Sequence, residues 1–180
     1  TTADYKNLYY SNSSSAKPKV DAWYQTNIES KGFGTYVATG KFCEQSKVKY
    51  ASAFTTGSAT NAQISNYTPT FDCAKDGNGK GPLELKAGLI TVDELIYAGT
   101  YVLVDNEEFY LSSEQKIWTM SPAGVNSSGT AHVWDLRAGG FMLYFSVTGE
   151  YGLKPVINLK ADVRATGTGT IADPYRVVTR

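Results

Sequence analysis

Trp118-Thr119-Met120-Ser121-Pro122 and Gly152-Leu153-Lys154-Pro155-Val156-Ile157-Asn158-Leu159 are the two stretches that decide how this chain is expected to fold. Ile117–Met120 and Pro155–Leu159, at these two stretches, are short apolar runs that read as candidate β-strands. The same pattern recurs around them. Tyr101–Val104, Phe109–Leu111, Ala131–Leu136, Phe141–Val147 and Tyr175–Val178 are further candidate strands. Gly139-Gly140 and Thr148-Gly149-Glu150 supply turns, and Asp105-Asn106-Glu107-Glu108 supplies an acidic one. No internal repeat of a diagnostic period is present.

Upstream the period changes. Thr91-Val92-Asp93-Glu94 is a capping box, with Thr91 as N-cap and Glu94 three residues on, and Gly99 closes the short helix that follows. From Lys19 to Lys31, Val20, Trp23, Tyr24, Asn27 and Ile28 fall at helical spacing until Gly32 and Gly34 break it. Two helices first and many short strands later predict an α+β domain, not an alternating parallel one. Residues 1–17, with the Ser-rich tract 11–15, read as a flexible tail or linker, and 18–180 as a single domain. Residues 51–83, rich in Ser, Thr, Gly and Asn, read as a long elaborated surface loop. The expected core is Trp23, Ile28, Leu89, Ile90, Leu95, Val102, Leu103, Trp118, Val133, Val156, Ile157 and Leu159. Asn158, between apolar neighbours, is expected to be buried and to satisfy backbone groups at a loop crossing.

At 180 residues the chain can bury a full core. Lys plus Arg and Asp plus Glu both number 17, so the chain lacks the broad positive field that nucleic acid or an anionic membrane requires. No apolar run approaches the ~20 residues of a membrane span, and Thr1-Thr2-Ala3-Asp4 is not a signal peptide. Any membrane attachment is therefore expected only through a missing N-terminal segment. Thirteen Tyr with abundant Ser, Thr and Asn make a weakly charged, hydrogen-bonding surface of the kind binding modules carry. The two cysteines, Cys43 and Cys73, could be a disulfide, two free buried thiols, or half of a metal site that the single His132 cannot complete. The disulfide is the preferred reading and implies an oxidising, extracellular or cell-surface setting.

Taken together, Val20-Asp21-Ala22-Trp23-Tyr24 with Asn27, Phe42-Cys43, Pro69-Thr70-Phe71-Asp72-Cys73, Gly88–Glu94, Trp118–Pro122, Pro155–Val163, Gly167-Thr168-Gly169-Thr170 and Pro174-Tyr175 resemble an uncharacterised family of bacterial extracellular domains. Such domains often sit behind an exported or prepilin-like N-terminus, and the resemblance spans residues 18–179. That family in turn resembles the C-type lectin-like fold shared by formylglycine-generating enzymes and bacterial and phage receptor-binding domains. The resemblance implies two short helices, small antiparallel sheets, long loops and a loop-rich face.

Enzyme chemistry finds little support in the residues. Formylglycine-generating enzymes need a reactive cysteine pair near the C-terminal end of the domain, and no cysteine lies beyond Cys73. A Ser-His-Asp set could use only His132, with Ser121 or Ser127 and Asp135, and neither serine sits in a nucleophile elbow. Adjacent Glu107 and Glu108 point apart as a solvated turn. Asp76-Gly77-Asn78-Gly79-Lys80-Gly81 begins like a calcium loop, so Asp76 and Asn78 are weak calcium ligands, but Lys80 and Ala87 stand where acceptors belong. No cofactor is therefore expected unless calcium binds there. Aromatics remain, because Tyr and Trp present an apolar face with a polar tip. Tyr151, Tyr144, Trp134 and Asn126 are the candidate ligand-binding residues, with Tyr151 the best placed for exposure.

These readings lead first to a non-enzymatic extracellular binding or adhesion domain of a bacterial surface or secreted protein, taking a glycan or a surface protein and no nucleic acid. A structural head domain of a pilin-like filament subunit, self-assembling through a preceding segment, is the alternative. A degenerate formylglycine-generating-enzyme-like catalyst ranks third.

Overall fold

A computed structural model of the chain describes residues 14–43, 69–72, 82–102, 104–125, 130–170 and 172–178. The first helix, α1 (Ala16–Tyr24), begins inside the segment read as a tail and runs on as a π-helical turn over Gln25–Glu29. Gly32, in the left-handed region at φ 77°, ends the helical path. Val20 and Tyr24, one turn apart, are buried, and Trp23 and Ile28 pack half-buried beside them. That is the apolar stripe expected from the spacing.

Strands β1 (Val37–Ala38) and β2 (Gly40–Cys43) follow, and β3 (Pro82–Leu85) pairs antiparallel with β2, placing Cys43 opposite Pro82. β4 (Ala87–Leu89) leads to α2 (Val92–Tyr97). The capping box is formed: Glu94 N–H donates to Thr91 Oγ1 at 3.1 Å, and Thr91 N–H donates to Glu94 Oε2 at 2.7 Å. The remaining strands are β5 (Tyr101–Val102), β6 (Ile117–Val125), β7 (Ala131–Leu136), β8 (Phe141–Ser146), β9 (Pro155–Leu159), β10 (Ala165–Thr166) and β11 (Arg176–Val177).

These strands assemble into a four-stranded sheet of order β5-β8-β7-β6, a three-stranded sheet of order β1-β9-β4, and the two-stranded ribbons β2-β3 and β10-β11. Pairing is antiparallel except between β5 and β8. The protein is thus α+β, with short helices on small sheets. α2 sends Val92 and Leu95 onto one face of the large sheet, where Ile117, Trp134, Leu136 and Met142 complete the main core. α1 covers the smaller sheet through Val20, Tyr24, Val37, Ala87 and Leu89. Among the described residues, no helix is long and apolar enough to cross a membrane.

Several sequence expectations are corrected. Phe109–Leu111 joins no ladder: Phe109 N–H donates to Asn106 O at 2.9 Å and Ser112 N–H to Phe109 O at 2.7 Å, so the segment closes its hydrogen bonds within turns. Phe109 itself is a buried plug. β6 extends past Met120 to Val125, with register shifts on either side of Pro122, because proline cannot donate to a ladder and is accommodated at a bulge. Asn158 and Leu159 are exposed. β4 pairs only as far as Ile157, so the end of β9 has β1 alone beside it and Leu159 lies outside the core. Trp118, Val133, Val156, Ile157 and Ile90 are half-buried, whereas Leu89 and Leu95 are fully in the core. The side chains of Val102 and Leu103 lie outside the described set. So do the Cys43 side chain, Cys73, and most of the loop at 51–83.

Candidate functional site

The period of two sorts the large sheet into faces. His132, Trp134 and Leu136 on β7 pair with Ser146, Tyr144 and Met142 on β8, and together they form the core side. Val133 and Asp135 pair with Phe145 and Leu143 and form the opposite side, where Trp118 of β6 stands beside Asp135.

Two of the expected ligand residues therefore belong to the core side. Trp134 is fully buried and cannot offer a ring face to a ligand. Tyr144 is half-buried and edge-on to both Trp134, at 5.5 Å, and His132, at 5.9 Å. Its ring is occupied in packing. Tyr151 alone lies on the opposite side. Asn126, Asp76 and Asn78 lie outside the described residues. Among those described, no three His, Cys, Asp or Glu gather as a metal site.

Around Tyr151 the chain builds an aromatic cluster. A bridge between Ile117 and Gly152 brings the segment after β8 back along β6, and Tyr151 lands on Trp118 with ring centroids 4.4 Å apart and 22° between planes. Its ring also stacks with Phe145 at 5.5 Å and 24°. Phe145 is 45% exposed. Gly149, in the turn after β8, lies against it: a Cβ there would come within 2.9 Å of Phe145 Cδ1, so only glycine permits this close passage without displacing the ring.

Two cations attend the rings. The Arg137 guanidinium lies 5.7 Å from the Phe145 centroid and 5.6 Å from that of Tyr151, and Lys116 Nζ lies 5.5 Å from Tyr151. Such contacts add about 0.5–1 kcal/mol each where exposed. Arg137 is anchored from below by Asp135, whose carboxylate accepts from Nε and, at 3.2 Å, from Nη2. The Asp135 side chain is 0% exposed and that of Arg137 13%. Burial pushes the Asp135 carboxyl above the usual carboxylate range, against the opposing pull of Arg137 and Lys116. Burial likewise raises the Tyr151 phenol, with Arg137 opposing and Asp135 adding to the rise.

No protein-family model matches the chain, and no curated protein or solved structure matches it.

Geometry alone therefore defines the site: an aromatic stack of graded exposure on one sheet face, flanked by a fixed guanidinium. Of this cluster the sequence singles out Tyr151 as a candidate contact, but not Phe145, Arg137 or Lys116, and points Trp118 to the core. Alternation through Val133-Trp134-Asp135-Leu136-Arg137 was the available signal, since it separates Trp134 from the charged pair. The same alternation parts His132 from Asp135, so these two do not face each other as a catalytic pair would. Ser121 Oγ instead accepts the N–H of Val92 at the start of α2, at 2.9 Å. A second feature, an apolar cleft of about 320 Å³, is lined by Ile90, Leu95, Leu111, Ile117, Leu153 and Val156. Ile117 and Trp118 are neighbours in β6, so the cleft and the ring stack lie on opposite sides of that strand.

Proposed function

We propose that this chain is a non-enzymatic binding domain of a bacterial surface or secreted protein, of C-type lectin-like architecture, with a glycan as its ligand. One observation carries the reading: Phe145, 45% exposed, is stacked through Tyr151 onto Trp118 on a sheet face. Exposed rings are ordinarily mobile. Here two neighbouring rings and a fixed guanidinium hold them, which lowers the entropy lost when a ligand settles on them. A sugar ring has one face of C–H groups and a rim of hydroxyls, which matches an aromatic platform bordered by donors. The α+β organisation with small, mainly antiparallel sheets is compatible with a C-type lectin-like scaffold.

The test is binding of the purified chain to a broad glycan and mucin array, with calcium and then with EDTA. Specific binding that Phe145→Ala abolishes is the expected result. Binding lost in EDTA would add calcium as a cofactor, and a blank array under both conditions would overturn the glycan reading and favour assembly with protein partners.

A further inference from the structure

Arg137 is built into the aromatic face more firmly than stacking requires. Nε and Nη2 both engage the Asp135 carboxylate, whereas Nη1 donates to no group among the described residues and is not among the buried polar atoms left without a partner. It therefore reaches solvent beside Phe145 and Tyr151, whose centroids lie 5.7 and 5.6 Å from the guanidinium carbon. A fully buried carboxylate adds little net stability, because its desolvation offsets the attraction of its partner. What the two-point contact does supply is orientation: it fixes the plane of the guanidinium and leaves one edge unspent.

Resting on the glycan reading above, we infer that Arg137 is a ligand-contacting donor, with Asp135 as its positioning residue, and that the sugar unit held on Phe145 is neutral. The charge balance selects the class. Asp135 compensates Arg137 at the point of contact. Lys116 stands over Tyr151, the middle ring of the stack, and not over Phe145. At Phe145 itself the guanidinium's charge is matched by that of Asp135, which leaves no local excess to draw a carboxylate-bearing sugar. A neutral sugar needs only donors for its hydroxyl and ring oxygens, and Nη1 offers them.

The experiment compares neutral oligosaccharides (β-linked glucose, galactose and N-acetylglucosamine oligomers) with galacturonate oligomers, using the whole chain and titration calorimetry. Wild type is expected to bind a neutral oligomer. Arg137→Lys keeps the charge and loses the fork, and should weaken that binding about tenfold or more, the effect of one charge-assisted hydrogen bond. In wild type the affinity should fall as acid protonates Asp135, while in Asp135→Asn it should be low and flat with pH. A purely structural Asp135 would not produce that difference. Because either variant could fold poorly, the Arg137 Nε–H resonance of the wild type is followed as well and should move on addition of the neutral oligomer.

Neutral binding with Arg137→Lys within about twofold of wild type, or with an unmoved Arg137 resonance, would overturn the assignment and leave the glycan reading standing. Preference for galacturonate would overturn the neutral class. Binding to neither series would remove the glycan reading itself.

Discussion

The indole of Trp118 and the phenol of Tyr151 stack at 4.4 Å because the backbone beside them is joined: Trp118 N–H donates to Gly152 O at 3.0 Å and Gly152 N–H to Lys116 O at 2.9 Å. The ring contact and the bridge hold the segment after β8 against β6. Removing the middle ring of the stack should therefore loosen that segment as well as the aromatic face. Tyr151→Ala is expected to lose about 1–3 kcal/mol, the sum of two ring contacts at about 0.5–1.5 each, read as a lower urea midpoint. Tyr151→Phe keeps both stacks and should stay within about 0.5 kcal/mol of wild type. If it falls as far as Tyr151→Ala, the hydroxyl and not the stacking is what matters.

The N-terminus of α2 gives a second prediction. Thr91 and Glu94 satisfy each other's backbone N–H groups, at 3.1 and 2.7 Å, where the helix itself cannot. Thr91→Ala should destabilise by about 1 kcal/mol, and Thr91→Ser should restore most of it. Equal stability of the alanine and serine variants in thermal melts would show the cap to be dispensable.

That cap and the ring stack mark what the sequence makes legible. A capping box is local, so Thr91 and Glu94 reveal it by spacing alone. The α1 stripe and the strands from β6 to β9 are legible for the same reason, since their period is written in consecutive residues. The Trp118–Tyr151 contact depends on a bridge between β6 and a loop, and nothing in either segment specifies the other. Exposure at a strand's end is equally hidden. Leu159 looks like a core residue until β4 is seen to stop opposite Pro155–Ile157. Trp134 shows the converse: an aromatic near loops reads as a ligand contact, yet the facing strand buries it opposite Tyr144. Of the site, one ring was legible, and its partners became visible only through the pairing of strands.

The β7–β8 turn gives a third prediction. Gly140 has φ 72°, and a Cβ there would lie 2.0 Å from the carbonyl oxygen of Asn106 and 2.8 Å from Phe109 Cβ. Its own carbonyl accepts from the buried Thr100 hydroxyl, so the turn cannot shift without breaking that bond. Gly140→Ala combines left-handed strain of about 1–2 kcal/mol with overpacking of about 1–3. A loss of about 3 kcal/mol is expected in urea titration. A loss under about 1 kcal/mol would mean that the Asn106 loop yields freely.

The buried carboxylate makes the acid limb of stability informative. Burial raises the folded-state pKa of Asp135 above its unfolded value of about 3.9, with Arg137 and Lys116 only partly offsetting this. A raised carboxyl contributes stability that is fully present below the unfolded pKa and is lost as pH rises through the folded pKa, because the folded state holds the proton more tightly. Asp135→Asn carries no titrating group at this position. Its stability relative to wild type should therefore improve steadily from about pH 4 upward and level off once pH passes the folded pKa. The loss of the Arg137 pairing shifts the whole difference by a constant and does not alter this slope. Melting temperatures of both proteins across pH 3–8 give the curve directly. A difference that instead moves in favour of wild type as pH rises would mean that Arg137 and Lys116 outweigh burial, so that Asp135 titrates below the ordinary carboxylate range.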